Sequence, residues 1–290
     1  MIGSRFSLPR PFDWLRGWID SVIGQPQDDR DGPAAPSSVP DDVLVYAIGD
    51  IHGCLGQLDR LLDRVRADAD RSSAAGQRWL IFLGDYIDRG PDSAGVVDRL
   101  ASLSLPGFST RCLIGNHEQA MLEFLRDPVS GRDWLRFGGV ATLASYGIAN
   151  LHDLDGAASL LSLHDALCRR LPSSHRRFLE TLEPMAIVGD YAFVHAGIRP
   201  SIPLADQTEH DLCWIRDSFL GFAGPHEKRI VHGHSISPFP EVRNNRIGID
   251  TGAYAGGPLT SVVLCGMTIR FIQVRANELR DMEALTAAGT

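Results

Sequence analysis

Lysine is almost missing from these 290 residues: Lys228 is the only one, and arginine supplies the other 27 of the 28 basic side chains. Alanine and glycine are abundant, and like arginine they have GC-rich codons, so the skew points to a GC-rich bacterial genome rather than to a function. Positive charge is in the minority overall, with a net charge of −8, which argues against a generic nucleic-acid coat. Cysteine is scarce and unpatterned. Cys54, Cys112, Cys168, Cys213 and Cys265 are odd in number and show no CxxC spacing. That excludes a disulfide framework and a zinc finger, and it fits a reducing, cytoplasmic setting. No apolar run approaches the roughly eighteen residues of a membrane span. A secretory signal is also excluded, because Arg16 and Asp20 interrupt the first apolar stretch and no cleavage site follows. Disorder is not the main state either: 44% of residues are hydrophobic and 22% charged, close to globular averages.

What is present divides the chain unevenly. Phe12, Leu15, Trp18, Ile19, Val22 and Ile23 recur at helical spacing, which predicts an amphipathic helix within residues 1–24. Such a helix docks on the main domain, on a membrane surface or on a partner, although Asp13 and Asp20 oppose anionic lipid. Residues 25–42, rich in proline, serine and aspartate, read as a solvated linker. The main domain is expected over residues 43–280, followed by a tail at 281–290.

From Val43 a unit recurs: a short apolar strand, a Gly-Asp or Gly-Asn turn, then a helix. Val43–Ile48 leads into Gly49-Asp50, Trp79–Leu83 into Gly84-Asp85, and Arg111–Ile114 into Gly115-Asn116. This alternation predicts an α/β domain with parallel pairing, whose site lies beyond the carboxyl ends of the strands. Residues 131–183 read as a helical insertion over one side. Beyond it the chain is strand-rich, with segments at Met185–Val188, Tyr191–His195, Arg229–His232, Arg246–Ile249, Leu259–Leu264 and Thr268–Val274.

Five short motifs end strands or occupy tight turns: GDIHG (49–53), GDYIDRG (84–90), GNHE (115–118), HAG (195–197) and HGH (232–234). Each is weak alone. Together they deliver Asp50, His52, Asp85, Asn116, His195 and His234 from five strand ends. Carboxylate oxygen and neutral imidazole suit Mn²⁺, Fe or Zn²⁺, and the lack of cysteine in the set excludes a closed structural zinc site. An aspartate such as Asp85 can bridge two ions, and two ions about 3.5–4 Å apart clamp the attacking and leaving sides of a displacement at phosphorus. Two divalent ions, two aspartates, a bridging hydroxide and the guanidiniums of Arg89 and Arg216 sum to a cationic pocket in an acidic protein. A phosphate dianion fits it. His117, next to Asn116, is placed to protonate the leaving group, with Asp88 holding the imidazole.

With these motifs in place, the sequence resembles the metal-dependent serine/threonine phosphoprotein phosphatases within the calcineurin-like metallophosphoesterases, closest to their bacterial and phage branch. GDxHG, GDxxDRG and GNHE match in order, and the likeness spans about residues 43–275, including CWIR (213–216), VHGHS (231–235) and IDTGAYAGGPLTSVVL (249–264). The resemblance implies a four-layer fold, a central β-sandwich flanked by helices. It implies Asp50 and His52 on one ion, Asp85 between the two, and Asn116, His195 and His234 on the other. By the same match His117 is the general acid, Asp88 its partner, and Arg89 and Arg216 the phosphate-binding arginines. Two divalent ions, Mn²⁺ first and Fe or Zn²⁺ as alternatives, are the implied cofactors.

The expected activity is hydrolysis of phosphoserine and phosphothreonine in proteins, phosphotyrosine included, by in-line attack of a metal-bridging hydroxide. Symmetric cleavage of dinucleoside tetraphosphates is the enzymatic alternative. Close relatives of that kind depart from DRG and carry Asp after GNH, whereas this chain keeps Asp88-Arg89 and Glu118. A silent scaffold anchored by its first helix is the non-enzymatic alternative. Trp134, Gly138 and Gly139 are expected in the substrate lip, His232 in the core, and His152, His164, His175, His210 and His226 on the surface. Cys54 is expected as a packed neutral thiol.

Overall fold

The computed structural model describes residues 36–72, 76–148 and 156–278. The helix expected within residues 1–24, the linker up to residue 35 and the tail at 281–290 lie outside the described residues. The end of the linker is not free of the domain. Val39 is buried, its N–H donates to Gly266 O, and Asp190 Oδ2 accepts the N–H of Ser38 at 3.1 Å.

The described chain runs β1 (Val43–Ile48), α1 (Leu55–Arg71), β2 (Gln77–Phe82), α2 (Ser93–Ala101), β3 (Phe108–Cys112) and α3 (Asn116–Arg126). Short 3₁₀ and π turns at Ser130–Arg132 and Leu135–Gly139 lead into α4 (Val140–Ser145), α5 (Ala157–Arg170) and α6 (Ser173–Glu180). Then come β4 (Ala186–Val188), β5 (Tyr191–Phe193), α7 (Glu209–Trp214), α8 (Asp217–Leu220), β6 (Arg229–His232), β7 (Glu241–Val242), β8 (Arg246–Gly248), β9 (Leu259–Cys265) and β10 (Thr268–Val274). One sheet has the order β10-β9-β1-β2-β3 and the other β4-β5-β6-β8-β7. Pairing is parallel for β1-β2-β3, as expected of the strand-turn-helix units, and for β5-β6-β8, whereas β9, β10, β4 and β7 pair antiparallel. The reason is local. β9 and β10 are joined by a tight turn at Gly266, and a turn that short returns the chain antiparallel.

Strand periodicity explains the layers. In β1 the side chains of Leu44, Tyr46 and Ile48 enter the core shared with α1, through Leu58, Leu61, Leu62 and Val65. Val43, Val45 and Ala47 face the other way and meet Phe193, Val231 and Ile247 of the second sheet. On that sheet's far side Ala192 and Ile230 pack under Leu212, Ile215 and Phe219. Helix, sheet, sheet, helix: the fold is the four-layer sandwich the sequence implied. Both trios of parallel strands point their carboxyl ends to one edge, where the polar turns gather.

Candidate metal centre and phosphate site

Every motif residue sits immediately after one of those carboxyl ends. Asp50 and His52 follow β1, Asp85 to Arg89 follow β2, and Asn116 and His117 open α3 just after β3. His195 follows β5 and His234 follows β6. Six described non-glycine residues have positive φ, and five of them are His52, Asp85, Asp88, Arg89 and His234. Left-handed backbone costs a non-glycine residue free energy and persists where surrounding contacts over-determine it. Here it turns side chains inward over very short turns. Gly233 is required by crowding, since a Cβ there would collide with Asp50 Oδ1.

Two groups of potential cation ligands result. His52, Asp85 and His117 form one, and Asp85, His195 and His234 the other, all buried. Asp85 belongs to both: its Oδ2 lies 3.4 Å from His52 Nε2 and its Oδ1 3.4 Å from His195 Nε2. Asn116 Oδ1 completes the second group, at 3.0 Å from His195 Nε2 and 2.9 Å from His234 Nδ1. His195 Nδ1–H donates to Leu83 O at 2.9 Å and His52 Nδ1–H donates to Ile87 O at 2.7 Å. Each Nε2 therefore faces the site as a lone pair. Burial pushes the His52 imidazolium down to about 3, and burial likewise lowers His195 and His234. Neutral nitrogens, a carboxylate and an amide oxygen crowded within hydrogen-bond range are a set rich in acceptors, which suits divalent cations.

Asp50 is in neither group; its carboxylate accepts the backbone N–H of His234 at 3.1 and 3.0 Å and is paired with Asp250. Burial, then the charges of Asp250 and Asp85, raises Asp50 well above the usual carboxylate range, and burial raises Asp250 to about 6. Asp250 was given no role from the sequence. Its signal was there, in an Asp-Thr-Gly turn that ends β8 as the Gly-Asp turns end β1 and β2.

His117 lies between two carboxylates. Its Nδ1 is 2.6 Å from Asp88 Oδ2 and its Nε2 is 3.8 Å from Asp85 Oδ2. Burial alone would lower the imidazolium, but Asp85 and Asp88 outweigh it and the net shift is upward. Arg89 is exposed at the mouth, donates to His52 Nε2 at 3.1 Å, and has the Tyr254 ring 4.9 Å from its guanidinium. Tyr254 is a further residue the motifs did not single out. Arg216 is exposed; burial is the main cause that lowers His195 and His234, and the Arg216 charge adds to it.

Glu118 holds the loop backbones rather than a ligand. Its carboxylate accepts N–H bonds from Asp85 and Tyr86 at 2.8 Å, Gly115 at 3.0 Å and Ile87 at 3.3 Å. Burial and the Asp85 charge push its carboxyl up to about 8. With both oxygens taken by N–H donors, the ionised form is the one the geometry fits. Glu118→Ala leaves those four donors buried without a partner and costs about 3 kcal/mol of stability, read as a lower Tm; an unchanged Tm would show that the loops hold themselves.

Two expectations are corrected. Trp134 is not a lip residue: it is 1% exposed, and its Nε1–H donates to Asp88 Oδ2 at 2.9 Å. An insertion tryptophan looks like lip material in sequence because nothing local announces its distant carboxylate. His175 is not a surface histidine either, being buried between Tyr146 OH at 2.9 Å and Asp98 Oδ1 at 3.2 Å. His152 lies outside the described residues. His232 is buried, as expected, with Nδ1 3.0 Å from Gly233 O. Burial raises the Cys54 thiol to about 11, which keeps it neutral.

Comparisons with known proteins agree with this architecture. The sequence matches the model of the calcineurin-like phosphoesterases over residues 43–258. A symmetrical bis(5'-nucleosyl)-tetraphosphatase of Paracidovorax citrulli is 34% identical over 197 residues, 67% of this chain and 58% of its own. The one from Acidovorax sp. is 31% identical, over 63% of this chain and 50% of its own. This chain thus spans about half the length of those relatives. Serine/threonine-protein phosphatase 1 of Salmonella typhimurium is 29% identical over 230 residues, 74% of this chain and 89% of its own. Among solved structures, a protein provisionally assigned as a diadenosine tetraphosphatase superposes with a TM-score of 0.55 at 22% identity, over 83% of this chain and 98% of that one. A mutant of a cold-active protein tyrosine phosphatase does so with 0.50 at 19%, over 86% and 89%. At those identities the superpositions speak for the fold alone. The family match spans most of the described domain and contains every strand-end turn that meets at this edge of the sandwich, and on that ground the chain belongs to the calcineurin-like phosphoesterases.

Proposed function

We propose that this chain hydrolyses phosphate monoesters with two divalent cations, and that its substrates are phosphoserine and phosphothreonine side chains of proteins, with phosphotyrosine accepted too. The observation that carries the reading is the buried contact of 2.6 Å between His117 and Asp88. A serine or threonine alkoxide is a poor leaving group and needs a proton as its bond to phosphorus breaks. A nucleoside diphosphate leaves as a stabilised anion and has no such need. An imidazole whose protonated form is favoured by two flanking carboxylates is therefore machinery for esters.

In this reading Asp50 and His52 would hold one ion, Asn116, His195 and His234 the other, and Asp85 would contribute to both. Bound there, the ions supply Lewis-acid polarisation of the phosphoryl group; manganese is the first choice for this oxygen and nitrogen set, with iron or zinc next. Arg89 and Arg216 bind the phosphoryl oxygens and orient phosphorus, a task for which a planar guanidinium is suited. His117 Nε2 gives its proton to the departing oxygen, and Asp88 keeps the ring facing it. The five free cysteines support a reducing compartment as the setting. No helix among the described residues is long and apolar enough to cross a membrane.

The relatives favour a second reading. The first-matched curated proteins are symmetrical tetraphosphatases, and sequence similarity supports that substrate more than phosphoprotein. Greater mutual coverage with the Salmonella phosphatase supports the first. Phosphate release from phosphoserine, phosphothreonine and phosphotyrosine peptides, beside cleavage of diadenosine tetraphosphate by the same manganese-loaded protein, separates them. Peptide turnover well above nucleotide cleavage is expected. The reverse ratio makes the protein a nucleotide hydrolase.

A further inference from the structure

Trp134, Gly138 and Thr142 all touch the DRG turn, the first and last from either side of a kink at Gly138, whose φ of 123° breaks the helical run. Trp134 Nε1 lies 2.9 Å from Asp88 Oδ2 and 3.2 Å from Oδ1. Gly138 O accepts the N–H of Arg89 at 3.4 Å. Thr142 Oγ1–H donates to Asp88 Oδ1 at 2.6 Å, and Thr142 Oγ1 and Ser93 Oγ both accept the Asp88 N–H at 2.9 Å. Asp88 has positive φ and is fully buried, so it has no water to fall back on.

The carboxylate can rotate, and its donors decide where it stops. Thr142 takes Oδ1 and His117 takes Oδ2, and the indole N–H lies within hydrogen-bond distance of both oxygens, a third donor that fixes the plane of the carboxylate. Indole is a donor only, so it cannot compete with Asp88 for the His117 proton. The indole is itself immobilised. Its ring lies 5.1 Å from that of Phe124, and a Cβ on Gly139 would come within 2.7 Å of its Cδ2 and Cε2 atoms. Phe124 and His117 share α3, so Trp134 ties Asp88 to the helix that carries the acid.

We propose that Trp134 is a positioning residue for leaving-group protonation: it orients Asp88, and through Asp88 keeps His117 Nε2 directed at the departing oxygen. The inference rests on the phosphomonoester reading above. In the step concerned, the alkyl oxygen leaves phosphorus with the bonding electron pair and takes the Nε2 proton, water forms the new P–O bond, and the proton that water loses restores the His117 imidazolium.

The test compares Trp134→Phe with the wild-type holoenzyme on a phosphoserine peptide and on an activated aryl phosphate, whose leaving group needs no proton. Because general acids contribute about 10²–10⁴-fold, mis-aiming one should lower kcat on the peptide about tenfold, leave KM unchanged, and alter aryl turnover less than about twofold. In an Asp88→Asn background the same substitution should cost nothing further on either substrate. If the phenylalanine variant does not fold, benzothienylalanine at position 134 keeps the indole shape and replaces only the N–H. Equal losses on both substrates, or a loss that adds in full to that of Asp88→Asn, overturns the positioning role while the phosphomonoester reading stands. A wild-type enzyme that cleaves the dinucleotide and not the peptide overturns both, and that is seen before any variant is made.

Discussion

His117→Asn is expected to cut turnover of phosphoserine peptides by about a hundredfold or more while leaving bound metal in place, since a positioned general acid is worth about 10²–10⁴ in rate. Asparagine keeps a polar side chain beside Asp88, but it has no proton to give at the position of Nε2. The loss should shrink as the leaving group improves, from alkyl to phenyl to nitrophenyl phosphate. That gradient is the diagnostic, because a variant that merely distorted the site would lose activity on all three alike. Metal content measured on the same samples guards against the other explanation, that a group 3.8 Å from Asp85 had disturbed the ions. Equal losses across the series would remove His117 from the role of acid and take the argument for monoesters with it.

The second large effect is expected at Asp85, the one carboxylate common to both ligand groups. Asp85→Asn removes the charge that either ion would use. Activity should fall about a thousandfold, in line with several kcal/mol of transition-state stabilisation from the ions, and bound metal should drop below two per chain. Stability should fall both with and without metal, and further with it. Burial alone would raise the Asp85 carboxyl, yet His195, His117 and His52 outweigh burial and hold it far below its usual range. A carboxyl held down in the folded state stabilises the fold above its unfolded pKa, so in chelator at neutral pH the asparagine variant should melt lower than the wild type. With manganese restored the gap should widen, because the wild type gains more binding energy. A variant that binds two ions and melts like the wild type under both conditions would show that Asp85 bridges nothing.

Strand ends were readable because a strand has period two and its turn chemistry is local. β1, β6 and β10 lie where apolar alternation put them, and Gly49-Asp50, Gly84-Asp85 and Gly115-Asn116 each follow a strand as read. β7 was not readable, since two residues carry no periodicity; its identity comes from antiparallel pairing with β8. Trp134 and His175 were misplaced for a related reason. Their partners, Asp88 and Asp98, lie 46 and 77 residues away, and no spacing rule links a tryptophan or histidine to a carboxylate at that distance.

From its residues alone, then, the family and the strand-end turns were legible, the turns that bring Asp50, His52, Asp85, Asn116, His117, His195 and His234 to one edge of the fold. These follow from side-chain type and from turns a few residues long. Only the tertiary structure decided what those groups lean on. The pairing of Asp50 with Asp250, the four backbone N–H groups on Glu118 and the indole on Asp88 each join segments far apart in sequence. Such contacts arise when two sheets pack face to face and a helical segment closes over the site, and packing of that kind depends on the whole chain.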